Sequence, residues 1–142
     1  MEVPDVRRRL RGAIDEARRR VADRRARVDE AARAYERFLN DVAVPIFHTM
    51  AQALTAEGHR FKVHTPGQAV RLVPDRATEE YIELSLDSER EPPAVVARSV
   101  RGRGRRVINR ERAIGEDRPI ADLTEEDVVS TLLDELVPFV EK

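Results

Sequence analysis

Apolar positions in residues 5–42, DVRRRLRGAIDEARRRVADRRARVDEAARAYERFLNDV, recur every seven residues. One column runs Ile14, Val21, Val28, Tyr35 and Val42; the other runs Leu10, Ala17, Arg24, Ala31 and Phe38. The spacing between columns alternates four and three, which is the a and d pattern of a helix with one narrow seam. The stretch contains no proline and a single glycine, Gly12. A long coiled-coil-like helix is therefore expected over residues 1–44, with Asp5 as its N-cap after Pro4. The a column is mostly β-branched, which leans toward two-stranded pairing, while the d column holds two Ala and an Arg.

The flanks of that seam are crowded with arginine. Arg11, Arg18 and Arg25 fall at e positions, and Arg20 and Arg27 at g positions. Self-pairing in either direction sets Arg against Arg, at a cost of roughly 0.5 kcal/mol for each exposed clash. An acidic helix suits such flanks better than a parallel copy does.

Pro45 lacks an N–H and crowds the preceding turn, so it ends or kinks the first helix. A second helix is expected over residues 45–58, with Ile46, Phe47, Met50, Ala53 and Leu54 as its apolar stripe and Gly58 just past its end. From residue 60 the period changes to two. Strands are expected at 60–64 and 70–73, with Val63 facing Val70, Phe61 facing Leu72 and a loop at Pro66-Gly67. A polar loop covers 74–79. The cleanest strand is 81–87, with Ile82, Leu84 and Leu86 on one face and Glu83 beside Arg71 and Lys62. A further hairpin joins 94–100 to 105–109 across Arg101-Gly102-Arg103-Gly104, and 110–123 reads as irregular. The last element is a helix over 124–142, with Thr124 as N-cap, acids in its first turn and Pro138 as a kink or stop. Strands grouped between helices, without βαβ alternation, make the class α+β: a long N-terminal helix, a second helix, four or five antiparallel strands and a C-terminal helix on the sheet. Residues 45–142 would form the compact part.

Charge sharpens this picture. The net charge is −1 over 142 residues, so no global field favours nucleic acid or a membrane. The sign alternates by segment: 12 Arg against 8 acids in residues 1–40, and 9 acids against 2 basic residues in 113–142. Such alternation favours docking of basic parts on acidic parts, within one chain or between copies. Arginine outnumbers lysine 24 to 2, which a bacterial-like codon bias explains better than a demand for planar contacts does. There is no cysteine, the N-terminus lacks the apolar core of a signal peptide, and no run approaches a membrane span. A cytoplasmic chain is expected.

Few residues advertise chemistry. Arg101, Arg103, Arg105 and Arg106 form a cationic tip, a candidate nucleic-acid contact resembling an AT-hook but lacking its proline. The same residues fit a solvated hairpin tip whose glycines serve the turn. The ten Arg of residues 7–27 can follow a phosphate backbone or simply flank a solvated seam. His48, His59 and His64 lack the ligand spacing of a zinc site, and no phosphate-binding loop or catalytic motif is found. No cofactor, metal, membrane or small-molecule substrate is implied. The leading expectation is a non-enzymatic assembly module, pairing through its N-terminal helix with itself or with an acidic helical protein. A nucleic-acid-binding protein and an enzyme without a recognisable motif are the alternatives.

Overall fold

The computed structural model describes residues 1–77, 79–115 and 117–141. Thr78 in the polar loop, Glu116 in the stretch read as irregular and Lys142 at the end of the last helix lie outside the described residues. The class is α+β. Helix α1 spans Val3–Phe38, a π turn spans Leu39–Ala43, and α2 spans Val44–Ala56, so the three run on without a break. Five strands follow: β1 Phe61–His64, β2 Val70–Pro74, β3 Tyr81–Asp87, β4 Ala94–Arg103 and β5 Arg106–Ala113. A single 3₁₀ turn, Ile120–Asp122, leads to α3, Glu125–Val140.

Helix α1 starts earlier than the Asp5 cap implied. Glu2 is its N-cap and Pro4 lies in the first turn, where a missing N–H leaves nothing unsatisfied. Asp5 instead accepts a 2.5 Å hydrogen bond from Arg8, one turn on. At Pro45 the helix bends its bonding rather than stopping. The N–H of Val44 reaches back to the carbonyl of Leu39, a five-residue step that widens the turn just ahead of the proline ring.

The strands form one antiparallel meander in the order β1-β2-β3-β4-β5. In the first hairpin Val63 pairs with Leu72 and Phe61 with Pro74, two residues from the expected register. Residues 65–69 make the wider loop that Pro66 and Gly67 demand, and a shift of two leaves the same side chains facing the core. Arg71 lies opposite Glu83 and bonds to it, as the strand pattern implied, and the Arg71 guanidinium stacks 4.0 Å from the Tyr81 ring centre. Lys62 lies opposite Val73 instead. The stretch read as irregular begins late, because β5 continues to Ala113.

Leu72, Ile82 and Ser99 share one cross-strand row, and Val70, Leu84 and Ala97 the next. These rows meet the end of α1, α2 and α3 in one core with Tyr35, Phe38, Phe47, Leu132 and Leu136. The same rows continue onto β5 as Arg110 and Arg112. Arg112 is held there by α3, bonding Glu135 at 3.2 Å and Asp134 at 3.3 Å. Glu135 is buried, so its carboxylate depends on that partner.

At the start of α3 the expected cap is present as a reciprocal box between Thr124 and Asp127. Arg118 grips the same carboxylate at 2.5 and 3.0 Å. That guanidinium is the main reason the Asp127 carboxyl is drawn from 3.8 down to about 2; burial opposes it, and bonds from Thr124 add to it. A depressed folded-state value means that the stabilisation is complete above the unfolded value near 3.8 and is lost as pH falls through about 2. Asp127→Asn is expected to cost about 1 kcal/mol at neutral pH. Urea unfolding of both proteins should show that difference shrinking between pH 4 and pH 2.

Candidate interaction surface

The seam of α1 divides into two halves. In the inner half, Tyr35 and Phe38 are buried at 1% and 4% exposure, Ala31 and Val42 are half-buried against the core, and Val28 is half-buried. Tyr35 donates from its hydroxyl to the carbonyl of Gln68 at 2.5 Å. Burial raises its pKa, and the charge of Glu83 raises it further. In the outer half every residue from Val6 to Arg27 is exposed. Leu10, Ile14 and Val21 show 56%, 42% and 57% of their surface to solvent, with Ala17 and Arg24 between them.

Thus α1 is a rod anchored at one end. Its outer 25 residues, Val3–Arg27, extend for ~37 Å at the α-helical rise. The root is tied by Glu91, which faces Arg27 at 3.1 Å and Arg24 at 3.8 Å. Arg24, a polar residue in the d column, therefore bonds sideways to the body instead of filling a seam. Within the rod Arg8 pairs with Asp5, and Arg19 and Arg20 with Glu16. Arg11, Arg18 and Arg25 have no carboxylate within 4 Å among the described residues.

Between the root and the sheet lies a cleft of about 740 Å³. Its floor is apolar, with Ala31, Ala34, Val95, Ile114, Ile120 and Leu123. Its rim carries Arg27, Glu91, Arg90 and Arg118, all ion-paired. Among the described residues the lining has no His, Cys, Ser, Thr, Tyr or Lys; its carboxylates are Glu30, Glu91 and Asp117. Sequence patterning missed this cleft, because its walls come from segments far apart along the chain.

The second candidate is the β4–β5 hairpin. Its last pair is Arg103 with Arg106, and a two-residue turn, Gly104-Arg105, closes it. Gly104 has φ of 62° and Arg105 does not have positive φ, which fits the hairpin turn that requires glycine first. Since β3 begins opposite Val100, the hairpin runs past the rest of the sheet. Arg103, Arg105 and Arg106 are exposed and Arg101 is half-buried. None of the four has a carboxylate within 4 Å among the described residues. Val107 beside them is 72% exposed.

His48 and His64 are exposed and His59 is half-buried. Among the described residues no group of three or more His, Cys, Asp or Glu is placed to hold a metal ion, and no helix is long and apolar enough to cross a membrane. Compared with protein families, curated proteins and solved structures, the chain matches none.

Proposed function

We propose that this protein is a non-enzymatic assembly module that associates with a copy of itself through the exposed half of α1. One observation carries the reading. A single apolar stripe runs the length of α1; the domain covers only its inner half, and Val3, Val6, Leu10, Ile14 and Val21 stay in water. Scattered exposed apolar residues are ordinary, but five on one rod, continuous with a buried stripe, form a surface shaped for a partner. Burying a Leu, Ile or Val side chain contributes about 1.5–3 kcal/mol, so covering these residues supplies enough to offset the cost of association.

The test replaces Leu10, Ile14 and Val21 with Gln, a good helix former of similar size. Light scattering at micromolar concentration should give a dimer or larger species for the natural chain and a monomer for the triple variant. Circular dichroism should show equal helix content at high dilution. A natural chain that stays monomeric at 100 μM, about the weakest affinity of a useful module, would end the reading.

The unpaired arginines of the hairpin support a second reading, contact with a nucleic-acid backbone. It expects binding to a 30-base-pair duplex that weakens steeply with salt. Changing Arg101, Arg103, Arg105 and Arg106 to Ala should reduce the logarithmic salt slope by about 3 to 4. No binding at about 50 mM salt rules it out.

A further inference from the structure

We infer that the receptor for the rod is the exposed face of α3 on a second copy of the chain, each copy laying its own rod over the other's α3. The inference rests on the self-association reading above and adds the site to which the rod binds.

Helix α3 buries Val128, Leu132, Leu136 and Phe139 against the sheet. Its opposite face keeps Leu133 and Val137 55% and 51% exposed, one turn apart, with Val129 half-buried beside them. Glu126, Asp134 and Glu141 flank that pair at helical spacing and are exposed. The stretch 125–141 has six acids and no basic residue. The rod, residues 3–27, has ten Arg and four acids. One surface therefore offers an apolar stripe edged with guanidinium groups, and the other an apolar stripe edged with carboxylates. The two match in chemistry, although Asp127 is held by Arg118, and Asp134 and Glu135 by Arg112, within the chain.

Two simpler arrangements fit less well. The rod does not cover α3 of its own chain, because all of Val6–Arg27 is exposed while α3 packs on α2, the π turn, β3 and β4. Rod against rod sets Arg11, Arg18, Arg25, Arg20 and Arg27 along the contact with few acids to face them. A rod of ~37 Å is longer than α3 at ~24 Å, so one rod can span the whole acidic face. Exchange between two copies uses the same pair of surfaces twice and closes with two-fold symmetry. Arg112 holds Asp134 and Glu135, and Arg118 holds Asp127, which leaves Glu126, bonded only by the Ser130 hydroxyl among the described residues, and Glu141 as the anchors.

Two variants and their mixture test this. One reverses the rod flank, with Arg18, Arg20 and Arg25 changed to Glu; the other reverses the α3 flank, with Glu126 and Glu141 changed to Arg. Each alone should dissociate at least ~10-fold more readily than the natural chain. Mixed in equal amounts they should form a heterodimer within ~3-fold of natural affinity, since both exchanged contacts again join opposite charges. A third variant, Leu133→Gln with Val137→Gln, should be monomeric. If it remains as dimeric as the natural chain while the Leu10, Ile14 and Val21 variant is monomeric, α3 is not the receptor, although the rod still drives assembly. If mixing gives no heterodimer, the inference is likewise overturned. A natural chain that is itself monomeric removes the underlying reading.

Discussion

Phe38→Ala is expected to lower the unfolding free energy by about 3–5 kcal/mol, whereas Ile14→Ala, in the same stripe of the same helix, should change it by less than about 0.5 kcal/mol. The two positions obey one heptad pattern but differ in what stands opposite them. Phe38 is 4% exposed and belongs to a core that also holds Tyr35, Phe47, Val70, Leu84 and Leu132. Removing its ring leaves a cavity that the sheet and two helices cannot collapse into. Ile14 faces water, so truncation removes little that folding gains. Urea unfolding must be read at dilution, where association adds nothing to stability. The Phe38 loss should shift the thermal midpoint by about 10 °C or more. Equal effects at both positions would mean that the rod's outer half is folded against something in the monomer.

Gly115→Ala should cost about 2–4 kcal/mol, for two separable reasons. Gly115 has φ of 58°, in the left-handed region that side chains resist. A Cβ there would also lie 2.3 Å from Cδ2 of Leu123 and 3.3 Å from Nη2 of Arg118. Leu123 is buried in the core and Arg118 is bound to the α3 cap, so neither can move freely. Gly104→Ala is the matched control. Its φ is 62°, yet nothing lies within 4 Å of the added carbon, so only the backbone term of about 1 kcal/mol applies. Thermal unfolding of the two variants separates the terms; equal losses would mean that Leu123 yields at no cost.

The long N-terminal helix was legible in the sequence because an apolar period of seven without proline needs no knowledge of a partner. Its division into a covered and an uncovered half was not, since both halves carry the same period. A weaker signal did point to it: the inner half holds Tyr35, Phe38 and Leu39, while the outer half offers Leu10, Ala17 and Arg24. Large aromatic groups collect where a core exists to receive them. The strand set was legible from alternation, but the first hairpin slipped by two residues, because register follows the loop and Pro66-Gly67 takes a five-residue one. Residues 110–113 escaped because Arg110 and Arg112 on the core-facing rows look like solvent positions. Both are exposed on the edge strand, and Arg112 also reaches Glu135 and Asp134 on α3. The cleft at the root of α1 and the exposure of Leu133 and Val137 on α3 are likewise products of long-range packing.

Hydrogen exchange along the rod, read by mass spectrometry at several protein concentrations, tests the central claim most directly. A helix covered by a second molecule protects its amides in proportion to the fraction associated, while a free helix exposed on all sides frays and exchanges quickly. The account predicts that protection in residues 6–27 rises with concentration and falls on dilution, while that of residues 34–43, buried in the domain, stays constant. Rapid exchange in residues 6–27 that is the same at every concentration up to 100 μM, well above typical module affinities of about 1 μM, would contradict it.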